Sequence, residues 1–437
     1  DWAVDGLIAG QTAVAAAIDR AQESLFLFYS LRSWYQEGAV AFARAAAAVI
    51  ETIPNNRLLR GDLLARQARC QEFTAPAEEA VALYQESLAC FQAENAEQKA
   101  ALPLYGLGYM AHIRGDYAEA HRYFMDSLDR YQQAGDRWGQ ANVLSSLCLE
   151  LRRQGRFAEA QAYGLESLTI RRAIGDRRGV ASSQNNLGLI YCALGDYPTA
   201  ETALTESIAI CRAIGHTVGT ANAVTGMCHV ALRVGNAQDA VRFQREALGL
   251  FRQVGDLWGV AIAYNNLGQI ALENGDLTAA QGLFREGVAV YREAGIKAGL
   301  ANTLNNLGQA CFELGDETGA AACWREALAT AMEIGDRPIG LEILVRAAAL
   351  GEQGKGGIRP LPILSFALRE PGMLEETRQL AQAHYVALCA ALPPETVAMA
   401  EAEAGGWTFT AVAATMLDLL APFCPHSYSP DPPQKAA

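Results

Sequence analysis

The chain has 437 residues of which 51% are apolar, enough to bury a large continuous core, and no run of 18 apolar residues marks a membrane span. A formal charge of −13 argues against non-specific binding of nucleic acid by this portion, and no charged segment followed by an apolar stretch and a cleavage site opens it. The ten cysteines are scattered without a Cys-x-x-Cys pair, as expected of small buried residues in a reducing, cytoplasmic setting.

Asp1 stands where an initiator Met would, which reads as a piece of a longer chain. Residues 1–95 carry a degenerate helical repeat. Tyr35-Gln36-Glu37-Gly38 echoes Tyr117-Ala118-Glu119-Ala120 with a two-residue slip absorbed at Pro54-Asn55-Asn56, and helices are expected near 57–73 and 77–93. From 96 to 335 the repeat is regular. A glycine recurs every twentieth position at Gly115, Gly135, Gly155, Gly175, Gly195, Gly215, Gly235, Gly255, Gly275, Gly295, Gly315 and Gly335. Self-similarity at a fixed period means that each unit buries its apolar face only by stacking on its neighbours.

The period is 40 residues, because Ala120, Ala160, Ala200, Ala240, Ala280 and Ala320 follow alternate glycines by five positions, while polar stretches such as Asp176-Arg177-Arg178 follow the others. Each half is then a helix of about 15 residues, roughly 22 Å long, closed by a glycine able to take the left-handed conformation. Asp116, Asp136, Asp176, Asp196, Asp256, Asp276, Asp316 and Asp336 come directly after those glycines, placed to cap the next helix. Eight units are expected, the first two degenerate. Trp138 and Trp258, just after inter-repeat glycines, read as packing residues, with anchoring of a partner as the alternative.

Leu187-Gly188-x-x-Tyr191 followed by Ala200, Leu204 and Ser207 resembles the tetratricopeptide pattern, with Leu147, Leu267 and Leu307 at the matching leucine. The small residue after it is Gly108, Gly188, Gly268 and Gly308, replaced by Cys148 and Cys228 in two repeats. The unit is longer than the 34 residues usual in the family, and the Asn-Asn-Leu-Gly mark is similar to that of long repeats in bacterial signalling proteins and eukaryotic cargo adaptors. The resemblance implies an all-α fold, an α-solenoid wound as a right-handed superhelix of helix-turn-helix repeats.

Residues 336–421 are expected to form a helical cap. A helix at 337–350 runs into Gly351-Glu352-Gln353-Gly354-Lys355-Gly356-Gly357, a flexible link, and Pro360, Pro362, Pro371, Pro393 and Pro394 punctuate shorter helices. Residues 422–437 read as a disordered tail. Glu376-Thr377-Arg378 through Leu388-Cys389-Ala390-Ala391-Leu392, then Ala398 to Gly406 and Thr408-Phe409-Thr410-Ala411-Val412, is similar to the helical ending of many bacterial STAND-type signalling ATPases and transcriptional regulators. In such proteins the repeats form a C-terminal sensor.

No chemistry-bearing motif stands out. A phosphate-binding Gly-x-x-x-x-Gly-Lys-Ser/Thr loop is missing, Gly106-Leu107-Gly108 lies inside a helical repeat, and Glu375-Glu376 is a helix-surface pair. Neither His-x-x-x-His nor His-Glu-x-x-His spacing occurs, so no metal, cofactor or enzymatic activity is expected of these residues.

The family resemblance implies that the first helix of each pair lines a concave groove with the residues at leucine minus five, minus two, plus two and plus five, next to the last of which lie Arg153, Arg233, Glu273 and Glu313. The groove candidates are Asn142, Ser145, Arg152, Asn185, Asn222, His229, Arg233, Asn265, Gln269, Glu273, Asn302, Asn305, Gln309 and Glu313. His229 also reads as a plain solvated helix histidine. An asparagine offers donors and an acceptor, so a ladder of them suits the backbone of an extended peptide. The other reading is that asparagines tie neighbouring helices together, which is favoured for Asn186, Asn266 and Asn306 and stands level with binding for Asn185, Asn265 and Asn305. The expected ligand is a peptide, a protein or a small molecule. The STAND resemblance implies control of an attached nucleotide-binding switch, the isolated portion staying monomeric; a free-standing adaptor or scaffold and a cytosolic receptor for signalling peptides are the alternatives.

Overall fold

Each of the twelve regularly spaced glycines takes a φ between +68° and +83°, the left-handed region that a β-carbon disfavours, and each closes a helix. The aspartates after them are spent as expected. Asp136, Asp176, Asp256 and Asp316 accept from the backbone N–H of Gly139, Gly179, Gly259 and Gly319 at 2.8–3.0 Å. Asp116, Asp196, Asp276 and Asp336 do the same for Glu119, Thr199, Ala279 and Ile339 at 3.1–3.3 Å.

The computed structural model describes residues 5–6, 14–32, 34–72, 74–352, 357–371 and 373–423, and among these it is all helix and turn. The chain divides after Ile214 into two compact units. The first contains α1 (Val14–Arg32), α2 (Tyr35–Thr52), α3 (Arg57–Gln71), α4 (Ala77–Ala93), α5 (Ala101–Ile113), α6 (Tyr117–Ala134), α7 (Arg137–Arg153), α8 (Phe157–Ala173), α9 (Arg177–Leu194) and α10 (Tyr197–Ala213). The second contains α11 (Thr217–Arg233), α12 (Ala237–Val254), α13 (Leu257–Glu273), α14 (Leu277–Ala294), α15 (Lys297–Glu313), α16 (Glu317–Ile334), α17 (Arg337–Glu352), α18 (Pro360–Arg369), α19 (Glu375–Ala391), α20 (Pro394–Ala404) and α21 (Phe409–Leu420). Helices α1 to α16 make eight helix-turn-helix pairs, five in the first unit and three in the second, and within each unit every pair packs against the next.

Small residues let the two helices of a pair approach. Ala80, Ala120, Ala160, Ala200, Ala240, Ala280 and Ala320 are all fully buried. Against the glycine of the Leu-Gly motif lies a large side chain: a β-carbon on Gly108, Gly188, Gly268 or Gly308 would come within 2.5–2.7 Å of Phe124, Leu204, Phe284 or Trp324. In the fourth pair the sizes are exchanged, with Cys148 facing Gly164. A second match of this kind closes the joints between pairs, where Gly139, Gly259 and Gly299 leave room for Tyr131, Phe251 and Tyr291.

In the first unit a polar ladder adds to this packing. Ser87, Ser127, Ser167 and Ser207, 40 residues apart and buried, donate their hydroxyls to the carbonyls of Gly61, Ala101, Ala141 and Ala181 at 2.7–2.9 Å. Each bond ties the second helix of a pair to the first. The second unit has Ala247, Gly287 and Ala327 at the matching positions and lacks the ladder.

The C-terminal helices close the end of the second unit. Trp324, Leu341, Leu344, Phe366, Ala413 and Met416 share one core, and Phe409 fills the space beside Gly340. Pro360 and Pro394 stand in the first turn of α18 and α20, where a missing N–H costs nothing. Residues 353–356 of the expected glycine link, and 424–437 of the expected tail, lie outside the described residues; Pro422 itself belongs to a short 3-10 turn, Ala421–Phe423. Among the described residues no single helix is long and apolar enough to cross a membrane.

Candidate functional site: the inner helix layer

From α1 to α16 each odd-numbered helix packs on its even partner, and within a unit the odd helices also meet one another: α3, α5, α7 and α9 in sequence in the first unit, α13, α15 and α17 in the second. Within a unit the even-numbered helices from α2 to α16 make no approach of that extent to their second neighbours. A layer whose members close on their second neighbours lies inside the curve of a stack, so the odd helices form the inner wall. With a partner behind and neighbours on both sides, an inner helix has a single free face. The candidates at leucine minus five, minus two, plus two and plus five share one side of their helix, because offsets of 3, 4 and 3 residues return to it, and Arg233, Glu273 and Glu313 lie one residue beyond.

The structure sorts these candidates into open and committed side chains. In the second unit Asn222 on α11, Gln269 and Glu273 on α13, and Asn302 and Glu313 on α15 are exposed, as are His229 and Arg233. Asn222, Gln269, Glu273, Asn302 and Arg233 make no side-chain hydrogen bond or ion pair among the described residues. Gln309 donates to Glu313 at 2.6 Å.

Several asparagines are instead drawn into the fold. Asn305 is fully buried, donates to Glu342 Oε1 at 2.9 Å and accepts the Trp324 indole N–H on its carbonyl at 3.2 Å. Asn306 donates to Asn265 Oδ1 at 3.1 Å, so α15 is tied to α13. For Asn306 this is the helix-tying role expected of it. Asn305 makes a tie of the same kind, from α15 to Glu342 on α17.

In the first unit Asn142 and Ser145 belong to a buried network centred on Arg171, a residue that the sequence pattern did not single out. Its guanidinium donates to Asp176 Oδ2 at 2.7 Å, Asn142 Oδ1 at 2.9 Å, and the hydroxyls of Ser145 and Ser167 at 3.2 Å. The network pins α7, α8 and the start of α9, and Asp176 caps α9 with its other oxygen. Tyr131, Phe251 and Tyr291 occupy the same register position in other repeats, which is why Arg171 was not legible as polar core. A second buried pair, Arg69 with Glu72, is completed by Tyr84, whose hydroxyl donates to Glu72 at 2.5 Å. The Arg69 guanidinium lies 5.0 Å from the ring of Tyr105 and 5.5 Å from that of Tyr109.

Arg152 differs from both. It is half-buried on the inner face of α7, its Nε has no partner, and burial, followed by the charge of Arg153, lowers its affinity for the proton. Forty residues earlier on α5, His112 is buried with Nδ1 unpartnered, and burial followed by Arg153 pushes its pKa down to about 4. Asn185 Oδ1 on α9 is likewise buried and unpaired.

Trp138 and Trp258, expected to pack, are 45% and 51% exposed at the starts of α7 and α13. The junction glycines leave their rings on the rim rather than in the joint. Eight cysteines are buried and Cys389 is half-buried, while Cys424 lies outside the described residues.

Paired helices at a 40-residue period, alanine at the crossing and a free inner face define an α-solenoid of helix-turn-helix repeats. Models of the tetratricopeptide repeat match residues 139–213 and 219–293, and 104–134 and 300–331. Over these residues the chain carries tetratricopeptide repeats. No curated protein sequence matches it significantly. Among solved structures it is similar to a Rap protein complexed with competence and sporulation factor, at 16% identity and a TM-score of 0.53 over 84% of this chain and 98% of the other. Aspartyl phosphate phosphatase F from Bacillus subtilis is similar at 13% identity and a TM-score of 0.50, over 83% and 91%. A STAND protein with a tetratricopeptide repeat sensor from Pyrococcus horikoshii aligns at 12% identity and a TM-score of 0.46, over 82% of this chain. The chain spans 54% of that protein's length. At these identities the likeness is one of fold.

Proposed function

We propose that this chain is a ligand-sensing module whose inner helix layer binds an extended peptide or protein segment, and that it serves as the sensor of a STAND-type regulator. The observation that carries the binding reading is the division of the inner wall. Polar side chains that the fold needs are hydrogen-bonded within it, whereas Asn222, Gln269, Glu273 and Asn302 stand exposed along successive inner helices without a partner. Amides on that spacing offer donors and acceptors to a peptide backbone, and Glu273 and Glu313 add negative charge toward the end of the wall. A Rap protein of this fold holds competence and sporulation factor, which is in keeping with a ligand on such a wall.

The regulatory half of the proposal rests on the likeness of the segment 376–412 to the endings of STAND-type regulators. Ligand spanning several repeats would favour one curvature of the stack, since nearest-neighbour interfaces each move a little. A tenfold preference for the active arrangement supplies about 1.4 kcal/mol toward release of an attached nucleotide-binding switch. The full-length parent, sized by light scattering with and without nucleotide and co-purified ligand, should assemble only when both are present. Assembly indifferent to ligand would favour the adaptor reading.

A further inference from the structure

We propose that the inner wall of the first unit carries an oxyanion subsite, formed by Arg152 and Arg153 on α7 with His112 on α5, that takes a carboxylate or phosphate group of the bound ligand. This deepens the binding reading above and rests on it.

A buried arginine that this fold uses for structure is matched by acceptors. Arg171 reaches a carboxylate, an amide and two hydroxyls, and Arg69 is paired with Glu72. Arg152 has none of this. Its Nε is sealed from water without an acceptor, it makes no ion pair among the described residues, and the strongest charge acting on it is that of Arg153, which is itself exposed and unpaired. Like charges are thus gathered in a chain whose net charge is −13. Such an arrangement costs stability unless an anion completes it.

The nearby carboxylates are already engaged. Glu72 is held by Arg69 and Tyr84, Glu150 by His121 and Gln154, and Asp176 by Arg171. On α5, Tyr109, whose ring carries the Arg69 guanidinium, brings no negative charge at neutral pH, because burial and then the charge of Glu72 raise its pKa.

Register brings the donors together. His112 and Arg152 occupy the same inner-line position in consecutive pairs, and neighbouring helix axes lie roughly 8–10 Å apart, a gap that an arginine side chain can bridge. His112 Nδ1, buried and unpaired, can donate from the neutral ring. The guanidinium fork matches two oxygens of a carboxylate or phosphate. Every group here lacks an acceptor, so a cation or an apolar group would leave the same vacancies.

The test is thermal unfolding of the whole chain at fixed ionic strength, titrating inorganic phosphate or succinate against chloride, for wild type, Arg152→Gln, Arg152→Lys and Arg122→Gln. Arg122 lies on the outer helix α6 and serves as the control. The subsite requires that phosphate or succinate raise the wild-type and Arg122→Gln melting temperatures, with an apparent Kd at least tenfold weaker in Arg152→Gln and intermediate in Arg152→Lys. A response to phosphate alone assigns a phosphoryl group, and a response to succinate a carboxylate. In chloride, Arg152→Gln should melt no lower than wild type, because an uncompensated charge has been removed. Equal shifts in wild type and Arg152→Gln, or no shift in wild type, overturn the subsite. A random-peptide library selected on the same protein separates the two readings. Peptides that bind the inner wall but ignore Arg152→Gln sink the subsite alone, whereas an anion response through Arg152 with no selectable peptide sinks the peptide reading alone.

Discussion

Trp324 lies so close to Gly308 that a β-carbon on the glycine would stand 2.5 Å from the indole nitrogen, which itself donates to the carbonyl of Asn305 at 3.2 Å. The glycine of the Leu-Gly motif is therefore a fixed half of a size match, and its partner sits 16 residues on.

Gly308→Ala should consequently destabilise the second unit by roughly 1–3 kcal/mol through overpacking, despite the higher helix propensity of alanine. Ala280→Leu, at a fully buried crossing, should cost a similar amount. Denaturant unfolding of both variants checks this; wild-type midpoints would contradict the register.

Gln244 occupies the slot that Phe284 and Trp324 fill in later pairs, and it is fully buried with both its amide nitrogen and its oxygen unpartnered. An unsatisfied buried amide costs about 1–3 kcal/mol, so Gln244→Leu should raise stability by that order. A fall in the denaturation midpoint would mean that the amide is satisfied in solution.

Ser127→Ala and Ser207→Ala each remove a buried hydroxyl donor whose acceptor keeps its helical partner, and each should cost about 0.5–1.5 kcal/mol. Because the two lie two pairs apart, the double variant should lose the sum, as measured by calorimetry.

His112 carries a pH prediction. Its folded pKa, pushed down to about 4, lies below the ordinary value of 6.5, so the folded state resists protonation more than the unfolded chain does. The stability this group contributes is complete above pH 6.5 and drains away as pH falls toward 4. His112→Phe should flatten the decline in melting temperature over that interval in chloride buffer. An unaltered slope would place the ring in water.

Much of the architecture is legible in the sequence because it is periodic. The twelve glycines, the capping aspartates and the crossing alanines each do one job at one spacing, and the structure uses them so. What was not legible is where a repeat departs from its neighbours. Arg171 stands where Tyr131 and Phe251 pack, so its network with Asn142 and Ser145 depends on a local substitution that no period announces. Of the serine ladder only Ser207 stood out, as part of the motif, and the carbonyls that the four serines reach belong to the facing helix and emerge only from packing. Asn305 and Asn302 are three residues apart on one helix, yet one is buried and the other exposed, a difference set by Glu342 and Trp324 on other elements.

The central claim is that the free face of the inner helices binds ligand. The direct measurement is calorimetry of a peptide selected from a random library on the whole protein, titrated into wild type, Asn222→Ala, Gln269→Ala and Asn302→Ala, and into Arg245→Ala and Arg285→Ala on the outer helices. Each lost amide contact is worth roughly 0.5–1.5 kcal/mol, so inner variants should weaken binding about twofold to tenfold while the outer ones bind as wild type does. Affinity that is unchanged in all three inner variants and lost in an outer one would contradict the account.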